Sequence, residues 1–180
     1  MKDKFIKELK KYDRPGMDEL IAYMEAGGFF EAPSSGKHHL CREGGLLEHT
    51  MNVLGCARKI NRAFGEPVPD KEITTTALLH DLGKMGDHGK PNYVPNILKS
   101  GNRSEAEPFK TNDELPYIDH AIRSVIIARS FIELSAEEEH AILYHNGLYN
   151  DLKYSIKGKE TELYLILHTA DMWASHFMEV

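Results

Sequence analysis

Thr75-Thr76-Ala77-Leu78-Leu79-His80-Asp81-Leu82-Gly83-Lys84 is an apolar run that ends in adjacent imidazole and carboxylate, followed by a glycine and a cation. Ile73, Ala77 and Leu78 recur at helical spacing, so the stretch reads as a helix from Ile73 to Leu82 that stops at Gly83. Imidazole and carboxylate together suit a borderline or hard divalent ion. Neighbours on a helix point about 100° apart, so His80 and Asp81 can meet one ion only from its two sides, a long arm and a short one. Lys84, just past the glycine, is placed to reach an anion held by that ion. A buried His and Asp that merely bond each other would leave the same trace, so the remaining ligands must be sought elsewhere.

Upstream, Leu46 to about Phe64 forms a helical pattern with Leu46, Val53, Ala57, Ile60 and Phe64 along one side. His49 falls inside this apolar stretch, where it is either a satisfied core histidine or a ligand. Gly44-Gly45 before the helix lets backbone come close to another element, and Arg42 precedes it. Residues 1 to 30 read as one or two short helices closed by Gly27-Gly28.

Downstream, residues 85 to 118 hold four of the eight prolines and no sustained apolar period. Such a segment reads as a lid or insertion leaving directly after Lys84, with Lys90, Tyr93, Asn96, Lys99, Arg103 and Lys110 either as groups for gripping phosphate or base or as an ordinary solvated surface. Asp119 to Ile132 resumes a helix, with His120 in its first turn and Arg123 one turn later. Ser135-Ala136-Glu137-Glu138 has the form of a capping box. The helix it opens carries Ala141, Ile142 and His145 on one face, while His140, after three glutamates, reads as facing solvent. Asn150 to Glu160 is a polar connection with a strand-like piece at Tyr154-Ser155-Ile156. In the last helix, from about Thr161 to Phe177, Asp171 shares a stripe with Leu163, Leu167 and Ala174. An unpaired buried carboxylate costs several kcal/mol, so Asp171 needs a metal, a distant cation or a proton.

Composition narrows the function. At 180 residues the chain suits a single domain with a real core. A net charge of −6 and no block of Lys or Arg disfavour an extended groove for long nucleic acid. No apolar run approaches the roughly 18–20 residues of a membrane span, and Met1-Lys2-Asp3-Lys4 lacks a signal-peptide core, so a cytoplasmic protein is expected. Two cysteines, Cys41 and Cys56, do not make a disulfide framework and read as reduced thiols.

The order of these pieces, Gly-Gly-Leu-Leu-Glu-His at 44–49, Leu-Leu-His-Asp-Leu-Gly-Lys at 78–84 and an Asp in a closing apolar helix, resembles the HD superfamily of metal-dependent phosphohydrolases. Around His38-His39 and Gly44 to Thr50 it also resembles the HD domains of some 3′-to-5′ exoribonucleases. The resemblance covers roughly residues 36 to 176. It implies an all-α fold, a single HD-type helical bundle over 1–180 with an N-terminal helical extension at 1–30 and a long loop insertion at about 85–118.

The same resemblance implies that His49, His80, Asp81 and Asp171 coordinate a divalent ion (Mn, Fe, Co, Ni, Zn or Mg), one or two per chain. His120 and His145 would join a second ion, contact phosphate or act as general acids. Such an ion lowers the pKa of bound water from 15.7 to as low as about 7 and polarises a phosphoryl oxygen. Asp81 would orient that water or take its proton, Lys84 with Arg42 or Arg123 would offset growing charge, and His120 or His145 would protonate the leaving oxygen. The expected function is hydrolysis of a phosphate ester in a nucleotide or short oligonucleotide. The alternatives are a phosphodiesterase or nuclease using the same centre on a cyclic nucleotide or RNA, and a non-catalytic nucleotide-sensing module.

Overall fold

Five helices supply the side chains of the site. The computed structural model describes residues 1–147 and 153–179. α1 (Lys2–Lys10) and α2 (Met17–Ala26) precede α3 (Gly45–Ala63) and α4 (Asp70–Leu79). After the insertion come α5 (His120–Arg129), α6 (Ala136–Tyr144), the short α7 (Lys153–Ile156) and α8 (Glu162–Trp173), which continues as a π-helical turn over Ala174–Met178. The fold is all-α, with only two small two-stranded sheets among the described residues. No helix among those residues is long and apolar enough to cross a membrane.

α3 packs on α4 and α8, and α8 also packs on α6. Leu46, Ile73, Leu78, Leu79, Ile142 and Leu167 meet in the core between them. α1 and α2 join the same core through Phe5, Leu20 and Met24, with Phe5 5.3 Å from Phe29 and 5.6 Å from Phe30. The two leading helices are thus bound by apolar burial, reinforced by Arg58 of α3, which donates to Glu8 and Asp70. α6 starts at the capping box read from the sequence, with Ser135 Oγ accepting from the Glu138 amide. Glu138 is itself buried and receives both arms of Arg14, at 2.6 and 2.9 Å.

Several expectations need correction. Helix α4 ends at Leu79 rather than Leu82, and a 3-10 turn covers Leu82–Met85. Gly83 is no left-handed stop. A Cβ there would collide with the His120 carbonyl oxygen and sit 2.9 Å from Arg123 Cβ, so the glycine is what lets this turn press against α5. The Gly83 amide donates to Ser124 Oγ at 2.8 Å. The reading of Gly44-Gly45 fits the structure: Gly44 adopts φ 74° and a Cβ on Gly45 would strike the Leu40 carbonyl. Phe64 is 77% exposed instead of lying on the apolar side of its helix. His140 does not simply face solvent, since its ring packs 5.0 Å from Tyr144 and 6.0 Å from Tyr164. Tyr154-Ser155-Ile156 is helical rather than strand-like. The part of the polar connection at 150–152 lies outside the described residues.

The insertion is not structureless. β1 (Gly86–Asp87) pairs antiparallel with β2 (Lys90–Pro91), and β3 (Tyr93–Pro95) pairs with β4 (Phe109–Thr111). Most of its polar groups serve the ribbon itself: Lys90 donates to the Glu114 carbonyl, Asn96 to that of Glu107 and Arg103 to that of Pro108. Arg103 also lies 4.0 Å over the Phe109 ring, and Lys110 faces Asp113. Tyr93 is the exception that reaches the site, close enough to Lys84 to feel its charge.

Candidate metal centre

Asp81 lies where α4 gives way to the 3-10 turn, at the focus of side chains from five helices. Its Oδ2 is 3.3 Å from His49 Nε2 on α3 and 3.4 Å from His80 Nε2. Its Oδ1 is 3.4 Å from the Nε2 atoms of both His120, at the start of α5, and His145, at the end of α6. Asp171 on α8 completes the ring, its Oδ1 3.2 Å from His49 Nε2. The structure therefore brings together all six residues singled out as ligand candidates. Among the described residues three triads have ligand atoms within 4.8 Å of one another: His49-His80-Asp171, His80-Asp81-His145 and, on the far side of His49, His39-His49-Glu179.

The local helix geometry explains why these side chains converge. His80 and His145 are both C-cap residues, each following an apolar turn that is buried in the core, and each is followed by a residue that also reaches the site, Asp81 or Asn146. Asn146 Nδ2, which can only donate, is 3.2 Å from His120 Nε2, so that nitrogen accepts. Asp171 comes from α8, which packs on α3 and so faces His49.

The electrostatics match a cation site. Burial pushes the Asp81 carboxyl up, but Lys84, His80, His145 and His49 outweigh it and hold the group well below the usual carboxylate range. Burial likewise opposes ionisation of Asp171, and His49 overrides it, keeping that carboxylate charged. Burial drives His120 down to about 3 and His39 down to about 4, so both are neutral at pH 7 with a lone pair to offer. Asp81 Oδ1 is fully buried and makes no hydrogen bond, despite its two imidazole neighbours. An orphaned carboxylate oxygen facing two imidazole nitrogens is a donor set suited to a divalent ion, and the residues present fit one.

The remaining expected residues fall out differently. Lys84 Nζ donates to Asp81 Oδ2 at 2.6 Å and lines the cavity above the cluster. Arg123 does not: it is buried, its guanidinium donating to Asn92 Oδ1 at 2.9 Å and to the carbonyls of Pro116 and Gly83 at 3.0 and 3.3 Å. It ties the insertion to the 3-10 turn through both terminal nitrogens and does not line the cavity. Arg42 is also absent from the cavity wall, pairing with Glu48 beside Cys41 and Phe109.

The cavity measures about 800 Å³, and its wall includes His38, His168, Ser175, His176 and Glu179, none of them assigned from the sequence. Glu179 does continue the Asp171 and Ser175 stripe in four-residue steps, a signal that the spacing carries.

The family model for the HD domain matches residues 46–171, and the chain belongs to the HD domain family. HD domains bind divalent metals, and the cluster around Asp81 holds the His and Asp side chains for it. Neither the curated proteins nor the solved structures contain a match to this chain.

Proposed function

We propose that the chain is a metal-dependent phosphohydrolase acting on a phosphate ester of a nucleotide or short oligonucleotide. One observation carries the reading: the two oxygens of Asp81 face two different histidine pairs, with Lys84 beside them at the floor of a cavity. His49, His80, Asp81 and Asp171 would hold the first ion, and His120 and His145 would join a second. His145, where burial is outweighed by Asp81 and the pKa is raised, would be the one to give a proton to the leaving oxygen. A bound ion supplies a more acidic water and polarises the phosphoryl oxygen under attack.

The protein's own groups do the rest. Lys84 stays protonated because Asp81 raises its pKa against the opposing effect of burial, so its ammonium can face a phosphoryl oxygen. His120, neutral and accepting from Asn146, is suited to ligation or to taking a proton. The cavity volume lies within the roughly 300–1,000 Å³ of small-ligand sites, which supports a nucleotide-sized substrate. Net charge of −6 argues against a long polyanion.

The test is a metal-supplemented hydrolysis screen of nucleoside monophosphates, cyclic nucleotides and short RNA with wild type and Asp81→Ala. Metal-dependent turnover that disappears in the variant, with the helical circular dichroism unchanged, is the expected result. Full activity in Asp81→Ala would refute the assignment.

A further inference from the structure

Each buried imidazole of the centre aims Nε2 at the cluster, so its Nδ1 needs an acceptor elsewhere. His80 and His145 meet this need in the same way. Each closes its helix, and its Nδ1 bonds the carbonyl three residues back, Ala77 at 2.9 Å and Ile142 at 2.7 Å. Those carbonyls belong to last turns, where the regular helical amide four residues on is missing, although that of Ile142 also takes the His145 amide at 3.5 Å. His49 has no such option. It lies near the start of the long helix α3, where the carbonyls behind it are engaged by the helix itself.

Its Nδ1 meets a carboxylate instead. Glu179, just past the π-helical turn that extends α8, places its oxygens 2.9 and 3.2 Å from His49 Nδ1. Asn52, one turn on from His49, donates to the same carboxylate at 2.9 Å. The His39 ring lies over His49 with centroids 5.0 Å apart and closes the other side. The Glu179 side chain is 1% exposed, so the carboxylate is held rather than solvated. Both Glu179 and His39 lie outside the residues that the family model matches.

We propose that Glu179 is the positioning residue of His49: it accepts the Nδ1 proton, fixes the tautomer that leaves Nε2 as a ligand, and adds negative charge behind the ring. The inference rests on the metal reading above. A carboxylate behind a ligating imidazole makes the ring a better donor than a carbonyl does, and loss of such a partner typically weakens metal binding about 10–100-fold. It makes the π-helical turn that follows α8 part of the centre, since α3 offers His49 Nδ1 no free acceptor of its own.

The experiment is calorimetric titration of the metal-stripped full chain with Mn²⁺, Ni²⁺ and Zn²⁺, for wild type, Glu179→Ala and Glu179→Gln, with thermal melts of the metal-free proteins alongside. For the ion that wild type holds most tightly, Glu179→Ala is expected to lose about 10–100-fold in affinity. Glu179→Gln should recover part of that loss, because an amide oxygen still accepts the Nδ1 proton. A carboxylate that only anchors the π-helical turn to α3 would move the melts and leave affinity alone. Equal affinities for wild type and Glu179→Ala overturn the inference by itself, whereas a wild type that takes up no ion overturns the metal reading and this inference with it.

Discussion

Lys84 Nζ lies 2.6 Å from Asp81 Oδ2, the same oxygen that faces His49 and His80. A cation thus shares a carboxylate oxygen with two imidazoles while its stem borders the cavity. This arrangement separates two roles that one substitution can tell apart. Lys84→Met removes the ammonium that would meet phosphate, so kcat is expected to fall by about 10²–10³. Metal uptake should hold or tighten, because no ammonium competes for Asp81. Steady-state rates beside metal titration check this, and an unchanged kcat would remove Lys84 from the phosphate site.

Arg123 makes the opposite prediction. Arg123→Met leaves the acceptors of Asn92, Pro116 and Gly83 without their buried donor. Stability is expected to drop by at least about 1–3 kcal/mol, measured as a shift in the urea midpoint. KM of the folded fraction should stay at the wild-type value, since Arg123 does not line the cavity. A raised KM without a loss of stability would contradict this placement.

The Arg58 cluster predicts a pH dependence. Arg58 holds the Asp70 carboxyl well below the usual carboxylate range, with help from Tyr12 and Lys11, and also lowers Glu8. A depressed folded pKa means that this stabilisation is complete above the unfolded value of about 3.9 and is lost as pH falls through it toward the folded value. Asp70 is 40% exposed, so solvent screening keeps the effect within about 1 kcal/mol. Asp70→Asn should therefore be less stable than wild type at pH 7, and the gap should close as pH drops below about 4. Urea midpoints across pH 2.5–7 give the measurement, and a gap independent of pH would contradict it.

How much of this was legible in the sequence depends on the kind of signal. Helical spacing placed His145 and Asp171 on inward faces, and adjacency placed His80 with Asp81. The family resemblance joined His49 and His120 to them. Arg123 was misread because a long cation on an apolar helix leaves the same trace whether it meets carbonyls or phosphate. Arg42 was misread because its partner, Glu48, lies in the following helix. The strands of the insertion span two or three residues each, too short for alternation to register, and prolines and glycines mask them. Gly83 looked like a stop signal because the sequence cannot reveal that α5 passes against its α-carbon. The four-residue step from Asp171 through Ser175 to Glu179 marks a shared face, but it does not show that this face brings Glu179 to His49 Nδ1.

The central claim is that the cluster around Asp81 holds a divalent ion, and metal content tests it most directly. Elemental analysis of the purified chain and of Asp171→Ala, each after incubation with Mn²⁺, Ni²⁺ and Zn²⁺ and removal of free ion, is the measurement. About one or two ions per wild-type chain are expected, with loss from the variant at unchanged helical content. A wild type that retains no ion, or a variant that retains as many as wild type, would contradict it.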